Sequence, residues 1–231
     1  MSHEPPIIEQ SVERKFPHWI VWPFVVFVLV VLSASFVWFL IRSPATPGMP
    51  ADLALGYNGS TSDSTNARND SRNPDNLEEF PIGENEFAGI HFSVNGVILL
   101  NGRHPDRAGG IPLNKRCRRL HLLHGTTGKM PDGTTIARLV LHYASGEQAQ
   151  IAINYGEHVR DWWHRSGDSP PESPLTVAWT GQNRLTRKEG ASLNVYLSTF
   201  QNPRLTEKIQ TIDFVSANTK CCPFFLGLST E

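Results

Sequence analysis

Between Phe16 and Ile41 the sequence holds no Asp, Glu, Lys or Arg, a gap of twenty-six residues in a chain of 231. Elsewhere the charges nearly cancel, with 21 Lys plus Arg against 22 Asp plus Glu. That balance leaves no global field to draw nucleic acid or an anionic polymer, so nucleic acid is excluded as a partner and any binding rests on local contacts. Cysteine is scarce as well. Cys117, Cys221 and Cys222 lack metal-ligand spacing, and adjacent cysteines seldom bond each other. A bridge from Cys117 to one of the pair stays open in an oxidising compartment. Also missing are a Gly-rich phosphate loop, a His-Glu-x-x-His helix and a Gly-x-Ser-x-Gly elbow, the common signatures of catalysis. The chain reads as a non-enzyme with no cofactor and no metal.

What fills the charge-free run is apolar. Trp19 to Ile41 reaches roughly 34 Å as a helix at ~1.5 Å per residue, enough to cross a hydrocarbon core about 30 Å thick with modest tilt. Trp19 and Trp22 at one end and Trp38 at the other suit the two membrane-water interfaces. Pro23 falls in the first turn, where its missing N–H has no intrahelical partner to lose. A cleaved signal peptide is the competing reading, with Ser33, Ala34 and Ser35 as the cut. Phe36 to Ile41 carry the apolar run past those small residues, which favours a permanent anchor. Arg14 and Lys15 precede the span, with His18 beside them, and only Arg42 follows before Arg68. The nearby positive charges therefore place the N-terminus in the cytoplasm and the large remainder in the periplasm or outside the cell.

Four segments follow: a short N-terminal tail at 1–17, a transmembrane helix at 18–42, a flexible linker at 43–79 and a β-sandwich domain at 80–231. The linker assignment rests on Pro44, Pro47 and Pro50 and on the polar run Asn58 to Asn76, which has too little apolar surface to offset its ordering entropy. Asn58-Gly59-Ser60 and Asn69-Asp70-Ser71 match glycosylation acceptors, read here as tether composition. The distal 150 or so residues suit one domain with its own core.

That domain reads as short strands of period two. Ala137, Leu139, Leu141 and Tyr143 alternate with Arg138, Val140 and His142, and Ala149, Ile151, Ile153 and Tyr155 do the same. Ser145 to Gln148, with Gly146 for positive φ, join them as a hairpin. Further sets are Leu175, Val177 and Trp179; Leu193, Val195 and Leu197; Ile212 and Phe214; and Phe224, Leu226 and Leu228. Earlier strands are expected at Gly89 to Phe92, Val97 to Leu100 and Arg119 to His124. Eight or nine such strands predict an all-β antiparallel sandwich of jelly-roll type, its core formed by alternate positions.

The densest run of functional residue types is Tyr155-Gly156-Glu157-His158-Val159-Arg160-Asp161-Trp162-Trp163, expected in a loop after a strand. Adjacent tryptophans beside Arg and Asp form a platform for a sugar ring whose hydroxyls the charged groups hydrogen-bond. The candidate ligand-binding residues are Tyr155, Arg160, Asp161, Trp162 and Trp163; the plainer reading has a tryptophan capping the sandwich and Arg160 paired with Asp161. Trp179 is assigned to the core. Glu157 and Asp161, four apart in a loop, have no defined separation for paired-carboxylate chemistry. His121 and His124 point to opposite faces of a strand and so do not share a metal. Lys115, Arg116, Arg118 and Arg119 read as a solvated edge that discourages strand association.

The ordered phrases Leu120-His121-Leu122-Leu123-His124, Leu141-His142-Tyr143, Tyr155-Gly156-x-x-Val159-Arg160-Asp161-Trp162-Trp163, Ala178-Trp179-Thr180-Gly181, Asn202-Pro203 and Ile212-Asp213-Phe214-Val215-Ser216 with Pro223-Phe224 resemble a bacterial module. It is the jelly-roll β-sandwich of planctomycete-type extracytoplasmic proteins, found with FecR-like sensors or carbohydrate-active enzymes. The resemblance covers about Gly89 to Thr230 and implies a non-catalytic domain, often presumed to bind carbohydrate, without transferable ligand residues. The expectation is a single-pass envelope protein whose partners are the bilayer, through 18–42, and a glycan or other envelope polymer. The alternative is a FecR-like sensor or interaction subunit docking on an envelope protein, although a tail of 17 residues is too short for a folded cytoplasmic regulator.

Overall fold

Alternating apolar and polar residues generate strands throughout the computed structural model, which describes residues 48–63, 75–100, 102, 104–168 and 175–231. The expected tail, the span and the rest of the linker lie outside these residues. Among those described, no helix is long and apolar enough to cross a membrane. The strands are β1 (Met49–Pro50), β2 (Gly83–Phe87), β3 (Ile90–Val94), β4 (Ile98–Leu99), β5 (Arg107–Lys115), β6 (Arg119–Thr127) and β7 (Thr135–Tyr143), then β8 (Gln148–Asn154), β9 (Trp163–Arg165), β10 (Thr176–Gly181), β11 (Ala191–Gln201), β12 (Ile209–Ser216) and β13 (Cys222–Thr230). The short helix α1 (Arg184–Glu189), which the strand pattern did not predict, starts from an Asn183–Thr186 capping box and ends at Gly190.

Every pairing among these strands is antiparallel. Sheet I runs β1-β13-β6-β11-β10, with β4 also on β13 and β9 also on β11; sheet II runs β5-β12-β7-β8; β2 and β3 form a separate ribbon. The expected β7–β8 hairpin is present, turning through Gly146 at φ 90°.

Two cores result. Between the sheets, Leu120, Leu122 and Leu228 of sheet I meet Leu139, Leu141 and Ile212 of sheet II, and the Phe214 and Phe225 rings stack at 4.3 Å. On the outer face of sheet I, Leu123, Val195 and Phe224 lie beneath Phe80, Phe92 and Val94. Sheet I is therefore covered on both faces, and β6 is buried from Leu120 to Thr126 without alternation. That corrects the expectation of one core at alternate positions. A bulge between Phe225 and Gly227 puts Phe224 and Leu226 in the outer core but Leu228 in the inner one. A second bulge between Val177 and Trp179 leaves Val177 45 % exposed while Trp179 packs edge-on against Phe80 at 5.1 Å.

The linker boundary also changes. The folded unit runs Thr46–Glu231, so the described parts of the expected tether belong to the sandwich. Met49 pairs with Thr230, the Ala51 N–H donates to the Leu228 carbonyl at 2.8 Å, and Leu53, Leu77 and Phe80 are buried. Asn58 imitates a strand partner, its Nδ2 donating to Leu99 O and its Oδ1 accepting from Leu99 N, both at 2.8 Å. Among the described residues Cys117, Cys221 and Cys222 form no disulfide. Cys117 precedes β6 whereas the Cys221 thiol faces Gly128 just past its end, so roughly 30 Å of strand separates two groups that a disulfide needs within about 7 Å.

Candidate functional site

The turn after β8 is built so that its far end crosses back over sheet I. Gly156, at φ 84°, turns the chain, and its N–H donates to the Val159 carbonyl at 2.8 Å. A Cβ at Gly156 would meet the Asp132 side chain at 2.4 Å. Beyond Arg160 the chain is stitched on both sides. The Trp162 N–H donates to Thr126 O at 2.9 Å, and Trp162 O accepts from Asn194 N at 2.7 Å. This extended segment sends neighbouring side chains to opposite faces.

Four of the five expected ligand-binding residues consequently come together. Tyr155, Arg160, Asp161 and Trp163 line a cleft of about 690 Å³ at the end of the inter-sheet core. The fifth does not join them. Trp162 is 1 % exposed and packs edge-on against Phe224 at 5.5 Å in the outer core, because it occupies the other face of the stitched segment. Trp162 is thus part of the outer core rather than a cap on the open end of the sandwich, and Trp163 packs against the edge of that core while lining the cleft.

Sequence reasoning missed other parts of the wall. Leu175, Val177, Asn194 and Tyr196 arrive from β10, β11 and their approach, and Lys129 from the far end of β6. No local pattern announced these. His164 and Asp168 also line the cleft, within five residues of Trp163, so a longer window would have included them.

Among the described residues, the charged groups of the cleft wall are arranged in pairs, Asp161 excepted. Arg160 binds Asp132 through Nη2, not Asp161, and its guanidinium lies 5.8 Å from the centre of the Tyr155 ring. Among the described residues, the buried Arg160 Nε has no hydrogen-bond partner. Lys129 Nζ sits 3.3 Å from Asp168 Oδ1, and the Arg165 N–H donates to Asp168 Oδ2 at 2.8 Å. That N–H bond is the main cause holding the Asp168 carboxyl below its ordinary range. Asp161 differs: burial pushes its carboxyl above the usual range, opposed by N–H groups of Trp163 and Gly128. Trp163 donates its Nε1–H to Asp75 at 3.0 Å and carries the Arg165 guanidinium 5.0 Å from its ring centre. Burial raises Tyr155 and pushes Tyr196 up to about 12, so both phenols remain donors at neutral pH.

Other candidate chemistry disperses. Glu157 accepts from Asn154 at 2.9 Å and is not among the groups around this cleft. His121 lies 2.9 Å from Thr199 and 3.4 Å from Glu231, while His124 is sealed in the interior against Ser198 at 2.8 Å. Burial drives His124 down to about 3, which makes it a poor proton acceptor for that serine. Among the described residues no three His, Cys, Asp or Glu side chains converge as a metal requires. The basic cluster lies at the other end of β6, where Arg119 pairs with Glu231 at 3.1 Å and Lys115 bonds the Pro50 carbonyl at 3.1 Å. No family model matches the chain, and no curated protein matches it.

Proposed function

We propose that the protein is a single-pass, membrane-anchored binding module, displayed outside the cytoplasm, that takes a carbohydrate or other envelope polymer in this cleft without a catalytic step. The observation that carries the reading is the convergence of Tyr155, Arg160, Asp161 and Trp163, all within nine residues of sequence, on one cleft of about 690 Å³. Its mixture of aromatic surface and fixed polar groups suits an amphipathic ring. The strand order supports a jelly roll, with β4-β13-β6-β11 facing β5-β12-β7-β8. In this reading the bilayer is met through 18–42, with the N-terminus cytoplasmic, and the resemblance to planctomycete-type extracytoplasmic modules points the same way.

The test uses the full chain in a zwitterionic detergent without a sugar headgroup, applied to a glycan array. Saturable binding is expected, weakened about tenfold or more by Trp163→Ala with the unfolding transition preserved, a loss of about 1.4 kcal/mol. Absence of binding to any glycan, or normal binding by the variant, would refute the site. Stoichiometric crosslinking to an envelope protein in the native membrane would instead favour the sensor or docking role. Protection of the domain from external protease in spheroplasts would overturn the orientation.

A further inference from the structure

We infer that the cleft selects an uncharged sugar ring over an acidic one, with Asp161 as the group that accepts the ligand's hydroxyl hydrogens. This rests on the glycan-binding reading and adds the ligand class to it. The cations near the cleft are already engaged: Arg160 holds Asp132, and Lys129 holds Asp168. Arg165, over the Trp163 ring, lies 3.9 Å from Glu189, and among the described residues Asp161 is the carboxylate of the cleft wall with no cation within ion-pair distance.

Its placement suits the role. Among the described residues, the hydrogen bonds to the Asp161 carboxylate both fall on Oδ1, from Gly128 N at 3.3 Å and Trp163 N at 3.4 Å. Oδ2 is left for a ligand. The main chain on either side is fixed by the bonds from Trp162 to Thr126 and from Asn194 to Trp162, so the carboxylate does not need to be ordered on binding. Hydroxyl groups donating to an ionised carboxylate make short, charge-assisted bonds. A uronate or sulfate beside the same oxygen meets a like charge that Lys129 offsets only from beyond ion-pair distance, and the cations that would neutralise it are already paired. Rejection of this kind is specificity by repulsion rather than by added contacts.

The experiment reads the full chain, in the same detergent, against an array of matched glycans whose members share a ring and differ in a C6 hydroxymethyl or carboxylate. Neutral members are expected to bind at least tenfold tighter than their uronate counterparts. Asp161→Asn keeps an Oδ1 acceptor for the two N–H groups; it should weaken neutral binding and narrow the ratio, whereas Trp163→Ala should weaken both members together. Raising the salt should also narrow the wild-type ratio by screening the repulsion, a readout independent of any variant's folding. Uronates binding as tightly as neutral members, or a ratio unmoved by both Asp161→Asn and salt, overturns the inference while leaving the binding site intact. If no member of either class binds, the binding reading fails and the inference falls with it.

Discussion

The Asp213 carboxylate accepts the N–H of Gly110 at 2.7 Å, joining the middle of β12 to an irregular part of β5 that lies 103 residues earlier. The β5–β12 register shifts between Ile212 and Phe214, and Gly109 leaves room there for the carboxylate. A Cβ on Gly109 would come within 2.7 Å of Asp213 Oδ1. His142 Nε2 approaches the same carboxylate at 2.5 Å, and Arg107 closes it from solvent, so a side chain only 2 % exposed keeps its charge satisfied.

Replacing Asp213 with Ala should lower stability by about 2 kcal/mol, the range for leaving a buried polar partner unmatched. Gly109→Ala should destabilise through the clash instead. Burial alone would raise the Asp213 carboxyl, but the Gly110 N–H and then His142 hold it below the usual carboxylate range. Its contribution is therefore complete above about pH 4 and disappears as pH falls through the lower folded value. Urea unfolding of wild type and Asp213→Ala across that range checks the point: the difference between them should shrink in acid.

The two tryptophans should separate cleanly. Trp162→Ala empties a fully buried site and should cost about 3–5 kcal/mol. Trp163→Ala loses the Asp75 bond and the Arg165 contact at a half-buried position, costing about 1 kcal/mol while removing the aromatic wall of the cleft. Thermal unfolding should move strongly for the first variant and little for the second. The reverse order would mean that the assignment of faces is wrong.

Much of this was legible in the residues. The β7–β8 hairpin follows from strict alternation plus Gly146, and four residues of the Tyr155–Trp163 run line one cleft. What alternation does not reveal is a strand buried on both sides: Leu120, Leu122 and Leu123 belong to two different cores, and period two has no way to mark that. Nor does it choose between adjacent tryptophans, since one residue of register exchanges their faces. Bulges at Val177/Trp179 and Phe225/Gly227 cause the same exchange partway along β10 and β13. The described parts of the expected tether, 48–63 and 75–79, pack into the sandwich for another reason. Asn58 and Asn76 look like solvated polar residues, yet their amides bond the main chain at Leu99 and Ser62, so polarity there reflects structure rather than its absence.

Acid should weaken the fold through His124 as well. Its Nε2 lies 2.8 Å from Ser198 Oγ, and that hydroxyl donates to the His158 carbonyl at 2.9 Å, which makes the imidazole the donor to serine. Burial holds it at about 3, against an ordinary value near 6.5 in the unfolded chain. Between those values the unfolded state binds a proton that the folded state refuses, so stability falls with pH by up to about 1.4 kcal/mol per unit from this group. His124→Gln retains an N–H near Ser198 without the titration. Unfolding free energies at pH 7, 6 and 5 should show a shallower slope for the variant; parallel slopes would exclude His124 as the source.

The boundary of the sandwich makes a prediction of its own, because residues before Gly83 contribute to both cores. Leu53 belongs to the inner cluster and Leu77 and Phe80 to the outer one, all fully buried. At about 1.5–3 kcal/mol for each such side chain, their loss removes on the order of 6 kcal/mol, comparable to the whole stability of many domains. Deleting residues 1–82 also takes β1 from the edge of β13 and exposes Val94 and Phe224 to water. A chain beginning at Thr46 should therefore unfold cooperatively, with the urea midpoint of the full protein, whereas one beginning at Gly83 should lack a cooperative transition and be digested rapidly by trypsin. If the shorter chain unfolds at the same midpoint as the longer, the segment from 48 to 82 is a covering rather than a part of the fold.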